Sequence, residues 1–352
     1  MGDASMDHVL NDSSYTLYDY NYSDLILPIE EEGLQAASSV TATFYGLIIV
    51  ISLTGNGFLL WYLVKHKGLR SSANLLLLHL TVSDLVFTLT LVPWGVFHIW
   101  GWIFGDVACK LFSGAIFLGF YSYMMFLTCM TVHRYMAVVH ALRISLLDAR
   151  RGRFYTHLTC TAVWLFSTFC SLPEVLFSET VRSSEGMLCV FNYQSVMLEL
   201  TISYVQIFVF FLLPFWVIIL CYTQILSTIR RCQINNREHT VWLILATVVG
   251  FFLCWTPYNI TVFLESLKLL KIEALSTFEW KKGLVYAYYI THITAYCHCC
   301  INPLIQIFGG VKFRSYLLSY TGFRRMSERE RSHTFNSQST PFHASVSGQT
   351  NV

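Results

Sequence analysis

Between Arg70 and Asp106 the only charged residue is Asp84, at the end of Leu80-Thr81-Val82-Ser83-Asp84. If that run crosses a bilayer, a carboxylate there costs at least ~2.5–3.5 kcal/mol and must face polar partners. It can be a satisfied contact between helices, or a site that couples ion binding to helix rearrangement; an intramembrane acid favours the second reading. Asn56 and Asn302 are its candidate partners. His133-Arg134-Tyr135 offers other chemistry. An Arg at the end of an apolar run can snorkel to headgroups, or it can hold helices together in one state and meet a partner in another. Cys254-Trp255-Thr256-Pro257 puts an indole beside a proline, where the ring can act as a rotameric lever rather than as plain packing. Near the start, Tyr15, Tyr18, Tyr20 and Tyr22 interleave with Asp12, Asp19 and Asp24. This anionic, aromatic strip suits a basic protein ligand, first by long-range steering and then by contact. Sulfation of the tyrosines would add charge. No catalytic constellation accompanies these residues, so no enzyme and no cofactor are expected. Cys297, Cys299 and Cys300 lie in an apolar run without a polar second shell, which argues against a zinc site.

These residues must be positioned by long apolar elements. Of 352 residues, 55% are hydrophobic and 12% are charged, against roughly 25% charged in soluble domains. About 20 apolar residues cross a hydrocarbon core as a helix. Seven stretches qualify, at roughly 42–64, 73–99, 107–139, 156–177, 200–229, 241–264 and 283–308. None alternates with period two, so barrel strands are excluded. Asp84 is expected to be the one acid in the core of a helix, with Glu174 near the end of the fourth stretch. Pro93, Pro214, Pro257 and Pro303 should kink the second, fifth, sixth and seventh stretches, as in a bundle built to bend. The fold expected is an all-α membrane protein: a seven-transmembrane helix bundle over residues 42–308, with a short interfacial eighth helix over 309–321.

Lys and Arg set the orientation. The segments after stretches one, three and five, with the C-terminal tail, carry most of the basic residues, whereas the first 40 residues carry none and hold eight acids. By the positive-inside rule, residues 1–41 form an extracellular acidic tail and residues 322–352 a disordered cytoplasmic tail. The first span should act as its own insertion signal, since no cleavable signal peptide is visible. Cys109 and Cys189 are the cysteines expected at the outer face, and the oxidising exterior favours a bridge between them. Asn11 and Asn21 begin glycosylation sequons on that same side. Ser and Thr between 327 and 350, once phosphorylated, suit a basic, arrestin-like partner.

Gly55-Asn56, Leu80 to Asp84, His133-Arg134-Tyr135, Trp164, Pro214 with Tyr222, Cys254 to Pro257 and Asn302-Pro303 fall in the order that resembles rhodopsin-like G-protein-coupled receptors, from about residue 41 to 318. Within that class, Trp102-Ile103-Phe104-Gly105-Asp106 before Cys109, the run His298 to Pro303, and the Tyr/Asp tail resemble the chemokine receptors, most of all the XC type.

The resemblance implies a plasma-membrane receptor for a basic chemokine. It also implies a heterotrimeric G-protein partner of the inhibitory class, chemotactic signalling, and pocket residues Trp94, Ile116, Tyr258, Glu265 and His292. Asp84, His133, Arg134, Tyr135, Tyr222, Trp255, Pro257, Asn302 and Pro303 would then form the switch. Several departures stand out. His133 replaces the usual Asp, Gln306 the usual Tyr, and His292 a Glu that in many relatives meets the ligand N-terminus. Bulky Tyr123 occupies the sodium pocket that would include Asp84. The cysteines of a second outer bridge are missing. His133 and Gln306 keep open a scavenging receptor that does not couple to a G protein. A transporter or channel fits poorly, with no inverted repeat and no ring of pore charges.

Overall fold

The computed structural model describes residues 31–67, 71–140, 149–183, 186–232, 238–270 and 278–309. The chain divides after Leu304. The unit up to Leu304 holds the bundle; of the unit Ile305–Val352, the described residues are the last turns of a helix. The tail sites Asn11, Tyr15, Tyr18, Asp19, Tyr20, Asn21 and Tyr22 lie outside the described residues, as do Gly310 onward of the expected eighth helix and the whole C-terminal tail.

The seven-helix bundle is present. Its first span is α1 (Glu31–Tyr62), which ends in a π-helical turn, Leu63–Lys67. α2 (Ser72–Trp100) and α3 (Gly105–Val139) form the second and third spans. The fourth departs from the single rod expected over 156–177. It is α4 (Ala149–Cys170), broken at Ser171, then a six-residue α5 (Leu172–Phe177). Pro173 is the cause: it has no N–H to donate back along a continuous helix, but it fits the first turn of a new one. A hairpin that the sequence reading did not foresee follows, β1 (Ser178–Ser183) antiparallel to β2 (Gly186–Phe191), with Thr180 opposite Cys189. The fifth span is α6 (Val196–Ile207) and α7 (Leu213–Cys232), joined by a π-helical turn (Phe208–Leu212) just before Pro214. The wide turn takes up the i−4 partner that proline forfeits. α8 (Glu238–Leu269) is the sixth span. The seventh is split into α9 (Phe278–Tyr296) and α10 (His298–Gly309). Six of the seven are long and apolar enough to count as spans by length and composition; the seventh is interrupted at Cys297.

α3 is the central rod. It packs against α2, α4, α5, α7 and β1, and a row of its side chains from Ile116 to Met130 is buried. In contrast, Leu158, Leu165 and Phe169 of α4 point outward. In water such faces would be a liability; in a bilayer they are matched to the surrounding hydrocarbon. The buried polar side chains knit the helices in pairs. Ser52 and Thr88 hydroxyls lie 2.6 Å apart across α1 and α2. Ser122 Oγ donates to Ser83 Oγ at 2.8 Å across α3 and α2, and Trp164 Nε1 donates to His79 Nδ1 at 3.2 Å across α4 and α2.

The clearest case is at Pro303. A proline at this place removes a helix hydrogen bond and leaves the carbonyl four residues back, that of Cys299, without its usual partner. Asn56 Nδ2 donates to that carbonyl at 2.8 Å, and also to Ser52 Oγ at 3.0 Å. Neighbouring helices repair proline breaks in membranes in this way. The contact requires close approach, which Gly55 permits: a Cβ there would sit 2.7 Å from Pro303 Cβ.

Candidate functional site

One end of the bundle is organised by the Cys109–Cys189 disulfide, which the structure contains as expected. It ties the first turn of α3 to β2, with a Cα–Cα distance of 5.6 Å. Around it the run Trp102 to Asp106 acts as a bracket. Trp102 is buried on the disulfide beside Trp94 and Phe97, its Nε1 donates to Gly105 O at 2.9 Å, and its backbone N–H donates to Met187 O at 2.7 Å. Gly105 has φ +79°, a conformation cheap only for glycine. Asp106 Oδ1 accepts from the Thr180 N–H at 3.0 Å, and Lys110 is ion-paired with the same carboxylate. The hairpin is therefore fastened to the head of α3 on both strands.

Beneath the hairpin the expected pocket residues fall on four helices. Trp94 on α2 is partly buried, its ring centroid 5.3 Å from that of Trp102. Ile116 is buried on α3. Tyr258 on α8 and His292 on α9 are buried, with ring centroids 4.9 Å apart. Glu265 lies about two turns further along α8, with Lys268 Nζ 3.9 Å from its Oε2. Two carboxylates correct the expectation that Asp84 is the one acid in a helix core. Glu174 and Glu199 are 0% and 1% exposed. Composition places Glu174 near a span's end, where water is usual, yet it is buried; its helix runs directly into β1, whose first residue, Ser178, donates through its hydroxyl to the Glu174 carbonyl. Tyr121 donates to Glu174 Oε1 at 3.3 Å.

Trp255 lies below Tyr258 on α8, with ring centroids 5.3 Å apart. It stacks on Phe120 of α3 at 3.9 Å and 20°, and contacts Phe87 of α2 edge-on. His298 of α10 meets Trp255 at 5.2 Å, Phe87 at 4.8 Å and Tyr123 at 5.0 Å. Its Nε2 stands 3.8 Å from Asp84 Oδ1, both side chains wholly buried. Asp84 was assigned Asn56 and Asn302 as partners. Asn56 is engaged elsewhere, as described above, whereas the Asn302 side chain does face the Asp84 carboxyl as expected, although among the described residues the contact falls outside close hydrogen-bond geometry. The residue joining Asp84 to the Trp255 lever is His298, which in the sequence is one member of the run His298 to Pro303. Its spacing four residues before Asn302, on the same helix face, was the available signal.

At the opposite end, His133 and Arg134 are partly buried on α3. Tyr135 hydroxyl donates to Gln224 Oε1 of α7 at 2.9 Å and lies 3.2 Å from His140 Nε2. Tyr222 is buried on α7. Pro257 lies inside α8 and Pro303 inside α10. Among the described residues no group of three or more His, Cys, Asp or Glu could hold a metal.

A mouth capped by a fastened hairpin, an aromatic path descending from it and a polar cluster in the core are the parts of a helix-bundle receptor. The family model "7 transmembrane receptor (rhodopsin family)" matches residues 55–305. Chemokine XC receptor 1 of Homo sapiens is 38% identical over 307 residues, 87% of this chain and 88% of that one. C-C chemokine receptor type 8 of Homo sapiens is 37% identical, covering 89% of this chain and 88% of its own; C-C chemokine receptor type 4 of Homo sapiens is 35% identical, covering 89% and 86%. The chain belongs to the rhodopsin family of seven-transmembrane receptors, and within it to the chemokine receptors, a receptor family and not an enzyme family. The XC and C-C matches are nearly level, so identity alone does not separate those types.

Proposed function

We propose that this receptor binds a basic chemokine outside the cell and activates a heterotrimeric G protein of the inhibitory class, in chemotactic signalling. The single observation that carries the reading is the continuous side-chain path from mouth to core: His292, Tyr258, Trp255, His298, Asp84. A ligand segment that moves Tyr258 or His292 must disturb Trp255, because rings at 5 Å cannot shift independently in a packed interior. Trp255 lies two residues before Pro257, where α8 can bend. Bending would separate α8 from α3 at the far end and uncover Arg134.

The acidic tail would capture the ligand before its N-terminus enters the bundle, as charge complementarity favours. In this reading residues 1–41 face outward with glycans on Asn11 and Asn21, the protein sits in the plasma membrane, and the C-terminus is cytoplasmic, where arrestin meets its phosphorylated Ser and Thr. The test is nucleotide exchange on purified inhibitory-class and stimulatory-class G proteins, using reconstituted receptor and a panel of chemokines. Exchange on the inhibitory class with at least one chemokine is expected. Saturable binding without exchange on any G protein would replace this reading with the scavenging one, which His133 motivates.

A further inference from the structure

The facing sides of α7 and α8 do not close on each other. Phe215, Ile218, Ile219 and Tyr222 of α7, and a stripe of α8 that runs from Leu245 through Val249 and Leu253 to Ile260, line a groove of about 510 Å³. Both stripes recur at three- and four-residue spacing, the pattern by which neighbouring helices interdigitate. Yet among the described residues α8 packs chiefly on α9 and α6, and scarcely on α7. The floor of the groove is buried, at Ile218, Val248 and Phe252. Its rim is exposed, at Val249, Leu253 and Ile260, and is continuous with the outward face that carries Trp216 and Leu220. The groove therefore opens to the hydrocarbon around the bundle and not to water.

The lining specifies the occupant. No charged residue takes part in it. The Thr256 hydroxyl donates back to Phe252 O at 2.6 Å, and the Tyr222 hydroxyl is buried, so neither offers a hydrogen bond at the opening. An empty space of this size would strip its walls of dispersion contacts, and protein interiors do not leave such space unfilled. Shape narrows the choice further. The α8 wall from Leu245 to Ile260 is about 22 Å long at 1.5 Å per residue, so the groove averages only about 5 Å across. That width takes a single methylene chain, whose carbons rest ~3.5–4.0 Å from their neighbours; a broad sterol ring system does not fit it.

We propose that this groove binds one fatty acyl chain of a membrane phospholipid, and that the bound chain restrains the bend of α8. The site stands on the membrane-spanning bundle alone; the restraint rests on the activation reading above and deepens it. The half of α8 that would swing about Pro257 is the half that lines the groove. With α9 packed against it, the swing changes the width of the groove and must expel or compress the chain. The chain also bears on the lever. Phe252 of the floor meets Phe251 edge-on at 5.5 Å, and Phe251 stacks with Trp255 at 5.8 Å and 24°.

The test uses full-length receptor in phosphatidylcholine vesicles that carry a phosphatidylcholine with a photoactivatable group midway along one acyl chain. After extraction into detergent and washing, the receptor is irradiated and the labelled residues are located by mass spectrometry. Label should persist on the groove residues of α7 and α8 and be lost from the outward face of α4 at Leu158, Leu165 and Phe169. The double variant Val249→Ala, Leu253→Ala shortens the rim and leaves the packed floor alone; it should retain about tenfold less label, as expected when several apolar carbons lose their contact. Leu165→Ala should be without effect. Equal loss of label from the groove and from the α4 face would overturn the proposal, whatever the expression of the variant. So would displacement of the groove label by added cholesterol, or an unlabelled groove in a receptor dimer that the double variant dissociates, since the occupant would then be a sterol or a second copy. In nucleotide exchange at matched receptor level, the double variant should show several-fold higher ligand-independent activity; unchanged basal exchange with the label lost would overturn the restraint. Failure of every chemokine to drive exchange on wild type is a different result: it removes the activation reading, and the labelling still decides the site.

Discussion

Replacing Gly55 by Ala tests the contact between α1 and α10 with a single methyl group. The new Cβ would lie 2.7 Å from Pro303 Cβ and 2.9 Å from its Cγ. Carbon atoms rest at ~3.5–4.0 Å, so the helices must part by about 1 Å at this level. Asn56, the next residue, would then stand nearly 4 Å from the Cys299 carbonyl, beyond hydrogen-bonding range. Two costs follow: ~1–3 kcal/mol for overpacking and ~1–3 kcal/mol for the carbonyl that Pro303 leaves dependent on Asn56. Gly57→Ala is the control, because nothing lies within 4 Å of its would-be Cβ; there Ala should help by up to ~1 kcal/mol through helix propensity. The assay is the thermal unfolding midpoint of detergent-solubilised receptor, with surface expression alongside. Gly55→Ala should lower the midpoint by several degrees and Gly57→Ala should leave it level or raise it. A Gly55→Ala receptor as stable as Gly57→Ala would refute the close-packing argument.

Cys109→Ser should abolish surface ligand binding by releasing the hairpin from α3, and full binding at normal surface expression would contradict that. Phe at Tyr15, Tyr18, Tyr20 and Tyr22 should slow ligand association and reduce its salt sensitivity, as expected when screened charge is removed; unchanged association at low salt would make the tail a solvated leader only. His133→Asp should lower ligand-independent G-protein activation, because a mostly neutral histidine cannot hold Arg134 as a carboxylate does, a restraint worth ~1.5–3 kcal/mol when well formed. Basal nucleotide exchange at matched surface levels decides it, equal values counting against the restraint. Truncation after Arg325 should slow internalisation while ligand binding is kept, as followed by loss of surface label.

The spans were readable because a bilayer leaves one solution, a run of about 20 apolar residues with every backbone group paired internally. Their interruptions were less so. Pro173 was absorbed into a hydrophobic stretch, and the break at Cys297 has no proline of its own. The hairpin was invisible because its register depends on partners distant in sequence, Cys109 and Asp106, rather than on alternation within Ser178–Ser183. Glu174 was misjudged for a related reason: composition shows how far a residue lies from a span's end, but not what folds over it. His298 was overlooked because a neutral ring in an apolar run reads as packing until a carboxylate is found 3.8 Å away.

The disulfide also works as a leash. Seven peptide steps run from Cys189, held on α3, to Val196, the first residue of α6. Even fully drawn out they reach only about 25 Å. With the 5.6 Å Cα–Cα span of the disulfide added, the heads of α3 and α6 cannot part beyond about 30 Å whatever binds between them, and Tyr193 of this tether is buried. A folded domain of about 100 residues has a radius of gyration near 13 Å, which for a compact body means a width of about 34 Å, too wide for such a gate, whereas a single extended strand passes with room to spare. Admission to the bundle is thereby restricted by girth before any chemistry is consulted: on the function proposed above, the body of a protein ligand would stay outside and only its loose end would go in.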